Sequence, residues 1–178
     1  HSRAVTNTEG MELAGVWTLH DGTAEKFGEA FPGGRLFDSI EELTTSPDVD
    51  AVVIGLPNSL HFDSTTNALN AGKHVLVEKP MAMNCEEAAQ MAALAQEKEL
   101  SLMVGHMWRF DREFQAVREV VADGKIGDIV KTKGYGIHEN WGPTGWFVDP
   151  ELAGGGALID MGVHALDSVR YLIGDPRP

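Results

Sequence analysis

The chain has 178 residues, enough for one domain with a hydrophobic core or for one domain and part of another. Its formal net charge of −13 argues against a protein that binds nucleic acid or an anionic membrane through clustered Lys and Arg. The single cysteine, Cys85, excludes an intramolecular disulfide and a Cys-rich zinc site. No apolar run approaches the roughly 20 residues of a transmembrane helix, so we expect a soluble, cytoplasmic protein.

Apolar segments of strand length alternate with segments of helical periodicity in the first two thirds of the chain. The pattern predicts strands at 13–19, 51–55, 74–77 and 100–104. It predicts helices at 23–31, 63–71, 85–98 and 110–122. Asn84 is the predicted N-cap of the third helix, and the last three strands have the apolar character of strands buried on both faces. This order predicts an α/β fold with a parallel sheet and helices on both of its faces.

The regular alternation ends near residue 123, where we place a domain boundary between Asp123 and Gly124. Beyond it, the segment 126–139 is predicted to be one long strand, and a glycine-rich loop then leads into a helix near 154–172. The sequence thus predicts a first domain of residues 1–123, followed by the beginning of a second domain at residues 124–178.

Glu78, Lys79 and Pro80 directly follow the predicted strand 74–77. Ligands of open α/β sheets bind beyond the carboxyl ends of the strands, so Lys79 is expected to point into a ligand-binding crevice. Pro80 favours an extended conformation of Lys79 and stiffens the turn. Two interpretations stay open: an ammonium group that meets a substrate hydroxyl or carbonyl, and a solvated turn lysine, which is the commoner case for a lone Lys-Pro pair.

Three consecutive glycines, Gly154 to Gly156, precede a helix that contains Asp160 and His164. Glycines allow a backbone to approach a ligand closely, and residues four apart lie one turn from each other on one helix face. Imidazole accepts and returns a proton near neutral pH, and a carboxylate one turn away could bind the substrate or favour the imidazolium. An ordinary surface pair at this spacing is the alternative interpretation.

Other side chains give weaker signals. Pro57 and Asn58 close a predicted strand, as a simple turn would, and Arg109 is either a surface cation or a ligand for a phosphate or carboxylate. Trp141 and Trp146 either pack in a core or line a sugar-sized pocket.

The seven histidines lack the spacing of metal ligands, so we expect no metal site. The chain also has no G-x-S-x-G or Walker motif, which excludes the common hydrolase and ATPase classes.

The segments 51–88, 108–129 and 145–175 contain the Glu-Lys-Pro turn and the Gly-Gly-Gly…Asp-x-Gly-x-His block at a characteristic separation. In this order they resemble the glucose–fructose oxidoreductase, inositol dehydrogenase and MocA family of nicotinamide-dependent oxidoreductases. The resemblance covers nearly the whole chain. It implies an N-terminal Rossmann domain and a C-terminal α+β domain with a large, mostly antiparallel sheet.

The resemblance also implies a reaction, in which a hydride moves between NAD or NADP and a hydroxyl carbon of a sugar, polyol or related small molecule. It implies that Lys79 contacts both the nicotinamide and the reacting hydroxyl, that Asp160 holds the substrate and that His164 is the acid/base. Trp146 is a further candidate for substrate contact. The implied cofactor contacts are Pro57, Asn58, His61, Glu78 and Lys79.

Three features depart from the family pattern. Gly174, Asp175 and Pro176 fall early in the second domain, so we expect most of its sheet to be missing. The chain contains no G-x-G-x-x-G motif, so we expect the first strand and the phosphate loop to be missing, either because the chain is a fragment or because it is a natural truncation. In the family, the end of the second Rossmann strand normally carries an acidic residue for the adenosine ribose. In this chain the corresponding strand is the one predicted at 13–19. Asp21 could take that place a few residues later, or Thr18 could leave room for a 2′-phosphate, so NAD and NADP both stay open.

The leading hypothesis is an NAD(P)-dependent sugar or polyol dehydrogenase or reductase. A non-catalytic or regulatory member of the family is the alternative, and a nonredox use of bound NAD is a third reading. The joint presence of Lys79, Asp160 and His164 favours the enzyme, because a binding module has no need of all three. We expect a small-molecule sugar or polyol as substrate, no nucleic acid or membrane partner, and a homo-oligomer in the full-length form.

Overall fold

The computed structural model describes residues 1–134 and 143–175. Its strands are β1 (Ala51–Ile54), β2 (His74–Val77) and β3 (Leu102–Val104). Its α-helices are α1 (Ser2–Thr6), α2 (Asp21–Ala30), α3 (Ile40–Thr45), α4 (His61–Asn70), α5 (Cys85–Glu97), α6 (Arg112–Ala122), α7 (Pro150–Ala153) and α8 (Val163–Ile173). Single 3₁₀ turns occur at Asn58–Leu60, Met107–Phe110 and Gly145–Val148, and a π-helical turn occurs at Leu158–Gly162.

The chain folds into two compact units, each formed from separate stretches of sequence. The first unit comprises His1–Ile54, Asp63–Leu76 and Ala89–Met103. The second unit comprises Gly55–Phe62, Val77–Ala88 and Val104–Pro178. Within the described ranges, none of the helices combines the length and the apolar character needed to cross a membrane.

The first unit contains a parallel sheet in the order β1-β2-β3, as the alternating sequence pattern predicts. Backbone hydrogen bonds run from His74 N to Asp50 O at 3.1 Å and from Val75 N to Ser101 O at 2.9 Å. The buried apolar side chains of this unit include Leu69 on α4, Val75 on β2 and Met91 on α5. Burial of these side chains against the sheet stabilises the unit, because apolar surface is removed from water.

Residues of types that commonly cap helices lie at the start of α5 and after the end of α4. The Asn84 Oδ1 atom accepts a hydrogen bond from Glu87 N at 2.9 Å, which confirms Asn84 as the N-cap of α5. Gly72, with φ of +78°, follows the end of α4 in the left-handed conformation that favours glycine. The next residue, Lys73, extends its Nζ atom to the backbone oxygens of Ser46 and Val49, at 2.9 and 2.7 Å.

The strand predicted at 13–19 is wrong. Only Val16 pairs there, in an isolated parallel bridge to Leu36. Its N–H group donates to Arg35 O, and its carbonyl accepts from Phe37 N, both at 2.9 Å. The partner segment is short, because it lies between the turn at Gly33 and Gly34 and the N-cap of α3 at Ser39. A strand extends only as far as its hydrogen-bonding partner does.

Burial on both faces, predicted for three strands, is found in β2 but not in its neighbours. Val75 and Val77 are buried and Leu76 is half-buried, whereas Val53 on β1 and Met103 on β3 are exposed. β2 is the central strand of the sheet. Among the described residues, β1 and β3 are its edge strands, and each has a neighbouring strand along one edge only.

The long strand predicted at 126–139 is also wrong in its described part. Residues 126–134 form no strand, and Val130 is 95% exposed. Alternation alone does not make a strand, because the backbone needs a neighbouring strand for its hydrogen bonds, and no described segment pairs with this one. Residues 135–139 lie outside the described residues.

The helix predicted near 154–172 begins later than expected. Gly154, with φ of +75°, is the C-cap of α7, so the first of the three glycines ends one helix rather than starting the next. The chain enters the π-helical turn Leu158–Gly162 and only then continues as α8. The glycines therefore form the connection between two helices.

Candidate active site

The loops that follow the three strands all belong to the second unit. Pro57 and Asn58 follow β1, Glu78 and Lys79 follow β2, and His106 follows β3. The Gly105 N–H group donates to Val77 O at 2.8 Å and thereby holds the last two loops side by side. Loops at the carboxyl ends of neighbouring parallel strands are the usual location of a ligand site in an open α/β sheet.

Lys79 and Asp160, which are 81 residues apart in the sequence, form an ion pair. The Lys79 Nζ atom lies 2.7 Å from Asp160 Oδ1 and donates a second hydrogen bond, of 2.9 Å, to the backbone oxygen of Asp160. Their side chains are only 17% and 21% exposed. The two motifs that the sequence singles out therefore meet, the strand-end lysine on one side and the π-helical turn on the other.

His164 lies in the first turn of α8, four residues after Asp160, and is only 7% exposed. Burial lowers the pKa of His164 below its usual value of about 6.5, and the nearby positive charge of Lys79 lowers this pKa further. The negative charges of Asp160 and Glu78 oppose this effect. The lowered pKa favours the neutral imidazole, which is the form that can accept a proton.

The carboxylate of Glu78 fits against the strand end because residue 105 is a glycine. A Cβ atom at Gly105 would lie 3.0 Å from Glu78 Oε2, closer than most side-chain contacts allow. The same Oε2 atom accepts a hydrogen bond from the backbone N–H of Lys79 at 3.3 Å. Gly105 thus allows a carboxylate beside the Lys79 turn.

Asn58 and His61 bind backbone groups of the second unit. The Asn58 Nδ2 atom donates to Ala153 O at 2.8 Å, directly before the three glycines. The two ring nitrogens of His61 lie 2.7 Å from Pro80 O and 2.9 Å from Leu56 O, and the side chain is fully buried. These two residues therefore connect the loop after β1 to the Lys79 turn and to α7.

Four further residues, not selected as site residues from the sequence, form contacts with His164 or with its neighbour Asp167 on α8. The Trp108 indole stacks on the His164 ring, with centroids 5.1 Å apart and planes 24° apart. Arg109 donates from Nε to both carboxylate oxygens of Asp167, at 3.1 and 2.9 Å. The His106 Nε2 atom lies 3.7 Å from Asp167 Oδ1, and burial lowers the pKa of His106.

A sequence signal existed for two of these four residues. His106 follows the third strand as Lys79 follows the second, so the strand-end rule selects both. Asp167 lies three residues after His164, on the same side of the helix. Arg109, considered as a surface cation or a ligand for an anion, forms an ion pair within the unit. The contact of Trp108 with His164 spans 56 residues and leaves no local pattern.

No described hydrogen bond or ring contact joins the remaining sequence candidates to Lys79, Asp160 or His164. Asp21 is the first residue of α2, is exposed and belongs to the first unit. Pro57 is the N-cap of the turn Asn58–Leu60. Trp146 is half-buried and stacks on Phe147, with no described hydrogen bond or ring contact to Lys79, Asp160 or His164. Trp141 lies outside the described residues.

The strand-end groups have the hydrogen-bonding chemistry that a ribose requires. A ribose needs acceptors and donors for its hydroxyl groups, and the Glu78 carboxylate and the Lys79 ammonium group supply one of each. Gly105 leaves the space that the carboxylate requires. For the pyrophosphate, the printed sequence contains no G-x-G-x-x-G turn with its row of backbone N–H groups.

Two family profiles match the chain. Residues 1–106 match the profile described as the oxidoreductase family with an NAD-binding Rossmann fold. Residues 114–178 match the GFO/IDH/MocA C-terminal domain. The expected α/β fold with a parallel sheet is thereby confirmed.

Curated relatives and a solved structure agree with these matches. The chain is 38% identical over 145 residues to 1,5-anhydro-D-fructose reductase of Ensifer adhaerens, covering 80% of this chain and 43% of the relative. It is 33% identical over 178 residues to D-glucoside 3-dehydrogenase of Escherichia coli K12, covering 99% of this chain and 50% of the relative. The crystal structure of GenD2 from gentamicin A biosynthesis in complex with NAD superposes with a TM-score of 0.87, at 27% identity, over 98% of this chain and 50% of that one.

The chain spans about half the length of the curated relatives that it matches. The profiles nevertheless account for both halves of the sequence, and they contain the strand-end lysine in one and the Asp160–His164 turn in the other. The chain belongs to the GFO/IDH/MocA family of oxidoreductases, whose N-terminal domain is an NAD-binding Rossmann fold.

Proposed function

We propose that this chain carries the reacting groups of an NAD(P)-dependent dehydrogenase or reductase that acts on a hydroxyl carbon of a sugar, a polyol or a related small molecule. One observation carries the proposal. The Lys79 Nζ atom lies 2.7 Å from Asp160 Oδ1, and His164 follows Asp160 by one helical turn. A cation, a carboxylate and a neutral imidazole so arranged suit proton transfer at a substrate hydroxyl.

Each of the three side chains has a distinct role in this proposal. Lys79 donates a hydrogen bond to the reacting oxygen and stabilises the negative charge that develops there. Asp160 accepts a hydrogen bond from a neighbouring hydroxyl and fixes the orientation of the substrate. His164 removes the hydroxyl proton during oxidation and returns it during reduction. When bound, NAD(P) supplies the acceptor or donor of the hydride.

The proposed cofactor contacts come from the strand-end loops. Glu78 and Lys79 would meet the nicotinamide ribose, while Pro57, Asn58 and His61 would shape the loop that lines the dinucleotide. Asp21 is the proposed contact for the adenosine ribose of NAD, and Thr18 is the residue that would leave room for the 2′-phosphate of NADP. Trp146 is the proposed aromatic contact of the substrate.

The organisation of the whole protein belongs to the same proposal. Residues 1–123 would form the dinucleotide-binding domain and residues 124–178 the beginning of the substrate domain. The single cysteine fits a reducing compartment, which supports a cytoplasmic location. A homo-oligomer is proposed for the full-length protein.

The direct test is a screen of the full-length protein with NAD and with NADP against a panel of sugars, inositols and other polyols, followed at 340 nm. We expect reduction of one cofactor with at least one substrate, and a large loss of that signal in the Lys79→Ala variant. Cofactor binding without turnover across the panel would instead favour a non-catalytic, regulatory member of the family.

A further inference from the structure

A general base transfers protons efficiently only when its ring is held in one orientation toward the substrate. In many enzymes a carboxylate or a backbone carbonyl fixes that orientation by binding the second ring nitrogen. No hydrogen bond between the described residues reaches either ring nitrogen of His164. The side-chain hydrogen bond described at His164 is the one that Ser168 Oγ donates to its backbone oxygen, at 2.7 Å, and it does not involve the ring. Among the described residues, the contact that bears on the orientation of the imidazole is therefore packing.

Trp108 supplies that packing. Its indole lies almost parallel to the imidazole, with planes 24° apart and centroids separated by 5.1 Å. Stacking covers a face of the imidazole, whereas the lone pair and the N–H group lie in the plane of the ring. The contact can therefore fix the ring plane and still leave the ring edge available to a substrate hydroxyl.

Trp108 is itself held in place on two sides. Its ring lies against Phe114 of α6, with centroids 5.5 Å apart. The next residue, Arg109, donates from Nε and from Nη2 to the carboxylate of Asp167. Asp167 is on α8, three residues after His164. The helix that carries the base thus also binds the turn that carries the stacking ring.

We propose that Trp108 is a positioning residue for His164. Its indole, fixed by Phe114 and by the Arg109–Asp167 ion pair, holds the imidazole ring plane in the orientation needed for proton transfer. This inference rests on the proposed function, in which His164 is the acid/base. The property of Trp108 that orients the imidazole is its flat aromatic face, rather than its size or polarity.

The test compares Trp108→Phe with Trp108→Leu in the full-length enzyme. Phenylalanine keeps a flat face, whereas leucine keeps an apolar cover without one. We expect Trp108→Leu to lower kcat by about tenfold to a hundredfold, the scale for a misaligned reacting group, with KM changed by less than about twofold. Trp108→Phe is expected to retain kcat within about threefold. The control Phe31→Leu should do the same, because it removes an aromatic ring that contacts Phe27 rather than His164.

Two kinetic outcomes would overturn the proposal. In one, Trp108→Leu turns over at the wild-type rate. In the other, the leucine and phenylalanine variants lose kcat equally, which would show that the flat face is not what matters. If the leucine variant does not fold, Trp108→Met makes the same comparison with a flexible apolar side chain.

A crystal structure of each variant gives a readout that does not need turnover. We expect the His164 ring plane to be unchanged in Trp108→Phe and rotated or disordered in Trp108→Leu. An unchanged ring plane in the leucine variant would overturn the positioning role even if the reaction is as proposed. Absence of NAD(P)-linked turnover in the wild type would count against the proposed function instead, and the crystal comparison would still decide the role of Trp108.

Discussion

The ammonium group of Lys79 lies between the carboxylate and the backbone oxygen of a single residue, Asp160. Two hydrogen bonds to one residue restrict a side chain that otherwise has four rotatable bonds. The Lys79 side chain is therefore already ordered before a substrate binds. Substrate binding then spends no free energy on restricting this side chain. These two bonds use two of the three N–H groups of the ammonium ion, so the third can donate to a substrate oxygen beside the ion pair.

Replacing Lys79 with alanine is expected to lower turnover in the full-length enzyme by about a hundredfold or more, because the reacting oxygen loses its hydrogen-bond donor. The variant should still fold, but with a lowered melting temperature, because removal of Lys79 leaves the mostly buried Asp160 carboxylate without its ion-pair partner. Steady-state kinetics and thermal unfolding check both statements.

Lys98→Ala is the matched control, because Lys98 is an exposed lysine directly after α5. It should leave turnover unchanged. Wild-type turnover in Lys79→Ala would remove Lys79 from the reaction.

The lowered pKa of His164 predicts the pH dependence of oxidation. Oxidation needs the neutral imidazole, so the rate should be low in acid, rise as His164 loses its proton and become constant at higher pH. Burial and the charge of Lys79 lower this pKa, so the midpoint should lie below about 6.5. The measurement is kcat/KM for oxidation against pH.

The His164→Asn variant should lose this ionisation and should turn over about a hundredfold more slowly or worse. A variant with the same midpoint and the same plateau rate would show that another group takes the proton. Lys79 would then be the next candidate.

At the scale of elements, short connections rather than long helices assemble the site. The turn Asn58–Leu60 and the four-residue helix α7 are joined through Asn58 Nδ2 and the carbonyl of Ala153. That carbonyl belongs to the last residue of α7, just before Gly154. The bond therefore fixes where the glycine connection begins, and with it the position of the turn that carries Asp160.

Asn58→Ala is expected to lower the free energy of unfolding by about 1–3 kcal/mol, because it leaves the Ala153 carbonyl without its donor in a buried setting. Urea unfolding of the full-length protein measures this loss. Asn67→Ala, at an exposed position of α4, should change the stability by less than about 0.5 kcal/mol. Equal effects of the two substitutions would show that the bond to Ala153 contributes little.

For the whole molecule, the sequence predicts elements best where the signal is local. The strand 74–77 and the helix that starts after Asn84 are observed nearly as predicted, because apolar runs and N-caps depend on a few adjacent residues. The strand predicted at 13–19 and the described part, 126–134, of the strand predicted at 126–139 are wrong. A strand also needs a partner, and no local pattern shows whether the partner is present.

The same distinction separates the site residues. The strand-end rule and the spacing of four residues were enough to select Lys79, Asp160 and His164, and the structure brings Lys79 and Asp160 into contact. Their roles in catalysis stay predictions. The stacking of Trp108 on His164 depends on the packing of a turn against a distant helix, so the sequence gives no sign of it.

The most direct test of the central claim follows the transferred hydrogen. A substrate from the polyol panel, deuterated at the carbon that bears the reacting hydroxyl, is incubated with the full-length protein and NAD or NADP, and the reduced cofactor is examined by mass spectrometry. The account predicts one deuterium in the cofactor with the wild type, and a transfer rate lower by about a hundredfold or more in Lys79→Ala and in His164→Asn. A cofactor without deuterium, or equal transfer by all three proteins, would contradict it.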